Sequence, residues 1–128
     1  MIVRTFEEIT GTERDVATAN WRSKRILLRR DGAGFSLHET TVLAGTDNGF
    51  WYANHVEAVV IIEGCGRLID EDTNTEYELK PGTMYLLNGH EHHRVLPTTD
   101  MRALCVFNPP VTGGEVHDER GSYPLVPG

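Results

Sequence analysis

The sequence predicts an all-β barrel on three observations: short strand-forming segments recur along the chain, turn residues separate them, and only one stretch suits a helix. At 128 residues the chain has the size of a single domain, and no shift in composition marks a second one. A barrel of that length buries roughly two-thirds of the surface its unfolded chain exposes. Stability therefore needs neither a disulfide nor a structural metal, and any metal held would serve function.

Taken in order, residues 10–16 hold the expected helical turn, with Thr12 as its cap. Residues 25–29 are apolar between arginines and lead into Asp31-Gly32, a hairpin signal, from which residues 35–43 return as a strand. A turn containing Gly and Asn precedes residues 50–52. Residues 58–62, the most apolar run, close on Gly64-Cys65-Gly66, a tight turn into the strand at 67–70. Asp72-Thr73-Asn74 is the next hairpin, before the alternating residues 77–79. Pro81-Gly82 turns the chain into residues 84–87, and residues 93–96 follow a polar loop. Residues 102–107 form the last strand, and beyond Pro109-Pro110 a polar tail carries Glu115, His117 and Tyr123.

Composition excludes several classes of function. Twelve Lys and Arg stand against 19 Asp and Glu, a formal charge of −7. Such a surface repels phosphate backbones and anionic headgroups, so neither a nucleic acid nor a membrane surface is expected as partner. No stretch reaches about 18 consecutive apolar residues, and the N-terminus lacks the basic and apolar regions of a signal peptide. Cys65 and Cys105 are read as reduced thiols. The expected location is the cytoplasm.

Three features carry chemistry. The first is Glu57, with Gly64 seven positions later. The second is Lys80-Pro81-Gly82 leading toward the cluster His90-Glu91-His92-His93. The third is the tail element Gly114-Glu115-Val116-His117-Asp118-Glu119. The first two resemble the paired motifs of the cupin barrels, in which one strand supplies two His and a Glu and a second supplies a further His. Glu57 and His93 fit the Glu and the last His, but Trp51 and Ala53 occupy the other two His positions. A third ligand must then come from elsewhere. Tyr85 is the candidate, because alternation puts it on one strand face with Thr83 and Leu87. A carboxylate, a phenolate and an imidazole suit iron better than a thiophilic metal. The competing reading makes Glu57 and His93 a buried hydrogen-bonded pair without metal.

Read singly, other residues have plain roles. Trp21 and Trp51 read as core aromatics. Cys105 and Phe107 alternate on one face as packing residues, Thr40 is an ordinary strand residue, and Glu115 and His117 are solvated. His90 and His92 belong to an exposed loop, and His55 fits either a site or the core.

Over nearly its whole length the sequence resembles the ectoine synthase family. The resemblance is carried by MIVRTFEEITGTERDV, NWRSKRILLRRDGAGFSLHET, WYANHVEAVVIIEG, PGTMYLLNGHEHH and MRALCVFNPPVTGGEVHDERGSY, in that order. It implies one cupin barrel of jelly-roll type over residues 1–128, with residues 109–128 as a tail that acts as a lid. It also implies closure of N-γ-acetyl-L-2,4-diaminobutyrate to the cyclic amidine ectoine, a homodimer, and iron(II) on Glu57, Tyr85 and His93. Substrate contacts then fall on Trp21, Ser23, Thr40, Tyr52, Cys105, Phe107, Glu115 and His117, with Glu115, His117 and Tyr52 handling protons. The barrel pattern alone also admits a metal-dependent dioxygenase or isomerase, or a non-catalytic module that binds a small ligand.

Overall fold

The structure, a computed structural model, describes residues 1–113. The chain opens on a helical turn, α1 (Phe6–Ile9), whose Thr5 cap accepts the Glu8 N–H at 3.2 Å. Ten strands follow: β1 (Asp15–Ala17), β2 (Trp21–Leu27), β3 (Ser36–Val42), β4 (Asn48–Phe50), β5 (Val56–Glu63), β6 (Gly66–Asp70), β7 (Thr75–Leu79), β8 (Met84–Leu87), β9 (His93–Pro97) and β10 (Met101–Asn108). They form a six-stranded sheet in the order β1-β2-β3-β10-β5-β8 and a four-stranded sheet in the order β4-β9-β6-β7.

Alternation explains how the sheets meet. Along β10, Met101, Ala103, Cys105 and Phe107 are buried, and along β5 so are Glu57, Val59 and Ile61, while the residues between them are partly exposed. These inward faces pack with Leu68, Leu79 and Val95 of the smaller sheet into one core. Burial of that apolar surface is the main source of stability, at about 25 cal/mol per Å². No helix among the described residues is long and apolar enough to cross a membrane.

Several expectations need correction. The helical turn lies at Phe6–Ile9 and not at 10–16. Thr5 and Glu8 carry the cap-and-acid spacing that starts helices, whereas Thr12 closes the following turn by donating to the Ile9 carbonyl at 2.6 Å. Residues 15–17 are a strand, tied to β2 by the Arg22–Asp15 ion pair. β2 and β3 pair as a hairpin, but its connection contains a 3₁₀ turn (Arg29–Asp31) rather than a two-residue turn. Trp51 and Tyr52 lie beyond the end of β4. Both cysteines are free, as expected.

Two places fix the frame of the molecule. The first is the crossing between sheets at Gly64-Cys65. Gly64 has φ +83°, and a Cβ there would sit 2.0 Å from the Asp100 carbonyl oxygen; one at Gly66 would sit 2.6 Å from that of Leu96. Only bare backbone fits through this crossing, which the Thr98 and Thr99 N–H groups bind by donating to the Cys65 carbonyl at 3.0 and 3.2 Å. The second is a clasp near the N-terminus, where Arg4 and Arg14 each approach the Asp31 carboxylate to 2.9 Å. Asp31 also accepts the Leu28 N–H at 2.9 Å, and its carboxyl is held well below the usual range by its hydrogen bonds to Arg4 and then Arg14.

Candidate functional site

One cavity between the two sheets gathers nine of the residues singled out from the sequence: Trp21, Ser23, Thr40, Tyr52, Glu57, Tyr85, His93, Cys105 and Phe107. Strand register brings them there. Ser23 on β2 pairs with Thr40 on β3, Phe107 on β10 pairs with Glu57 on β5, and Val59 on β5 pairs with Tyr85 on β8. His93 opens β9 in the opposite sheet. Glu115 and His117 lie outside the described residues.

The three candidate ligands are set in apolar surroundings. Burial pushes the Glu57 carboxyl up to about 8, against a hydrogen bond with Cys105 that lowers it. Burial, and then the nearby Glu57 and Cys105, push the Tyr85 phenol up. Burial holds the His93 imidazole down, opposed by its bond to the Glu91 carbonyl. That bond, 3.1 Å from Nδ1, makes Nε2 the nitrogen with the free lone pair, because a carbonyl can only accept. The hydrogen bond of His93 runs to the Glu91 carbonyl, and among the described residues none joins it to Glu57, so the direct buried pair is not formed. Cys105 Sγ lies 3.8 Å from the Thr40 hydroxyl.

Aromatic rings form much of the wall. Tyr52 stacks on Phe50 with centroids 6.0 Å apart and meets Phe107 edge-on at 5.1 Å. The Tyr52 carbonyl lies 2.8 Å from His90 Nδ1. Trp51 points elsewhere: it stacks on His92 at 4.5 Å and donates from Nε1 to the His90 carbonyl at 2.8 Å. Trp51 is therefore a strap between two loops and not a core aromatic, while Trp21 lines the cavity. His90 and His92 are exposed, as expected. His55 is buried, edge-on to Phe107 at 5.8 Å, and does not line the cavity.

Sequence reasoning missed His38, which is 1% exposed and lines the same cavity. Burial, then Arg25 and His55, lower its pKa to about 3. A signal was present: Ser36, His38 and Thr40 are polar at every second position of one strand, as Ser23 and Arg25 are on its neighbour.

The donor set can hold a cation. Among the described residues no three His, Cys, Asp or Glu converge, so a metal here would rest on the mixed set of carboxylate, phenol and imidazole. Glu57 and Tyr85 are both costly to ionise in this cavity as it stands, and a bound cation supplies the missing counter-charge. His93, its Nδ1 engaged by a carbonyl, has the supported geometry that metal-binding imidazoles share.

Known proteins supply the remaining comparison. A sequence profile described as ectoine synthase matches residues 1–127. L-ectoine synthase of Rhodococcus erythropolis (strain PR4 / NBRC 100887) is 68% identical over 128 residues, covering 98% of this chain and 97% of that protein. The crystal structure of ectoine synthase from P. lautus superposes with a TM-score of 0.89 at 50% identity, covering 99% of this chain and 92% of that one. A cupin domain of an Enterobacter cloacae transcriptional regulator shares the fold alone, with a TM-score of 0.60 at 15% identity over 71% of this chain and 98% of its own. The fold is thus that of an all-β cupin barrel, and the chain belongs to the ectoine synthase family.

Proposed function

We propose that this chain is a hydro-lyase that closes N-γ-acetyl-L-2,4-diaminobutyrate to L-ectoine and water, with iron(II) held by Glu57, Tyr85 and His93. One observation carries the reading: a single aromatic-walled cavity gathers the three candidate ligands with the hydroxyls of Ser23, Thr40 and Tyr52. Family membership supports the reaction.

In the reaction the α-amine attacks the carbon of the side-chain amide. The carbonyl oxygen leaves as water, carrying the two protons the amine nitrogen gives up. Bound iron(II) supplies a Lewis acid for the amide oxygen, with no redox change required. The protein does the rest. Trp21, Phe50 and Phe107 fold the flexible substrate so that its two ends meet, and they keep out the water that favours ring opening. Ser23 and Thr40 bind the substrate's polar groups through their hydroxyls. The Tyr52 hydroxyl is placed to assist proton transfer, with Glu115 and His117 as the principal groups taking protons from the amine and giving them to the departing oxygen.

The start of the tail is fixed beside the cavity wall. Arg25 donates to the Gly113 carbonyl at 3.0 Å, and the Val111 N–H donates to Ser36. The rest of the tail, which lies outside the described residues, is proposed as a lid over bound substrate. A homodimer in the cytoplasm completes the reading, and sedimentation analysis tests the dimer.

The deciding experiment is turnover of N-γ-acetyl-L-2,4-diaminobutyrate followed by NMR, with added iron(II) and with chelator. Ectoine that chelator abolishes and iron restores is expected. Equal turnover under chelation removes the Lewis acid, and no ectoine from folded, iron-loaded protein removes the reaction.

A further inference from the structure

Ser36, His38 and Ser23 form a line of hydrogen bonds through the cavity wall. The Val111 N–H donates to Ser36 Oγ at 3.0 Å. Ser36 Oγ lies 3.2 Å from His38 Nε2, and His38 Nδ1 lies 3.3 Å from Ser23 Oγ. All three side chains are buried. Ser23 and His38 line the cavity, and Ser36 stands behind them.

The direction of the protons follows from what each group can donate. Ser36 Oγ already accepts from Val111, and among the described residues the one acceptor for its own O–H is His38 Nε2. Were Nε2 protonated, the buried Ser36 hydroxyl would accept twice and leave its proton unmatched, which buried polar groups avoid. A neutral imidazole accepts at one nitrogen and donates at the other. Burial, Arg25 and His55 keep this ring neutral. Nε2 therefore accepts from Ser36, and Nδ1–H donates to Ser23.

We propose that His38 is a positioning residue that, backed by Ser36 and Val111, fixes Ser23 as a hydrogen-bond donor into the cavity, so that Ser23 receives a substrate oxygen and not the amine. The identity of that substrate rests on the reading above, and the proposal decides which of its groups Ser23 holds. The carboxylate and the acetyl oxygen accept hydrogen bonds. An ammonium cannot accept one, and in the neutral amine such a bond would occupy the lone pair that must attack.

The tautomer is read without substrate by two-bond proton–nitrogen NMR on protein labelled with ¹⁵N-histidine, the His38 signal being assigned by its loss in the His38→Asn variant, since both His38 and His55 lie against the Phe107 ring. The Nδ1–H form is expected in the wild type, reverting to the commoner Nε2–H form in Ser36→Ala. Kinetics supply the second arm. His38→Asn puts an amide N–H where Nδ1 stood and should hold KM within about threefold. His38→Gln reaches toward Ser36 instead and should raise KM about tenfold with a smaller change in kcat, the loss of about one hydrogen bond. An Nε2–H wild type, or equal KM in the Asn and Gln variants, overturns the proposal. If the iron-loaded wild type shows no turnover, the functional reading fails, and the tautomer still decides the role of His38.

Discussion

Ionisable groups meet opposite fates in the cavity and in the N-terminal clasp. In the clasp, Asp31 keeps its charge because two arginines and a backbone N–H surround it. In the cavity, Glu57, Tyr85, His93 and His38 are all pushed toward their neutral forms, burial being the first cause for each. The clasp is electrostatically complete and serves stability. The cavity is a set of donors and acceptors without a matching charge, the condition in which a site has affinity left for something else.

The comparison breaks most visibly at the proposed ligands. Glu57→Ala, Tyr85→Ala and His93→Ala should each lose bound iron and at least about 100-fold in turnover, the scale of removing a preorganised electrostatic group. Metal analysis and the NMR assay on the same samples check this. Glu115→Ala and His117→Ala should instead keep the metal and lose turnover, and full activity in both would remove their assignment as proton carriers.

On the other side, Asp31→Asn should lower stability by about 2 kcal/mol, because it leaves two partly buried arginines without their carboxylate. Iron binding should be unchanged, and denaturant melts with metal analysis separate the two effects. Acid gives a smaller version of the same loss. Asp15 is held at about 2 by its hydrogen bonds to Arg22, and Asp31 also lies below its unfolded value of about 3.9. Their stabilisation is complete above about pH 4 and falls away as pH drops toward their folded values. Melts between pH 5 and 2, flatter in Asp31→Asn, test the sign. The smallest effect belongs to exposed pairs: Arg67→Ala, which breaks the pair with Glu76, should change stability by less than about 0.5 kcal/mol.

Local chemistry made much of this legible beforehand. The strands at β3, β5, β6 and β10 follow from alternation and from turn residues whose roles are local. The helical turn was misplaced although Thr5 and Glu8 carried the spacing that starts it. Partition into two sheets was not legible, since pairing between distant segments leaves no local trace. Within the site, Glu57 and His93 came from motif spacing and Tyr85 from alternation, but the remaining contacts came from family resemblance. Ser36 and His38 were overlooked because polar residues on a strand are ordinarily assigned to solvent, and only the second sheet shows that this face points inward.

The narrow crossing at Gly64 and Gly66 has a bearing on sites far from it. Glu57 and Tyr85 belong to one sheet and His93 to the other, and the chain passes from Glu57 to the strand that pairs with β9 through this point alone: β5, the crossing, then β6, whose Asp70 lies opposite His93. A slip of one residue there would shift β6 about 3.3 Å against His93 or turn its side chains to the other face. The strand that backs His93 is thus set in register from a remote, chemically silent position. Natural variation should tolerate changes around the cavity mouth more readily than an inserted residue, or a single methyl group, at that crossing.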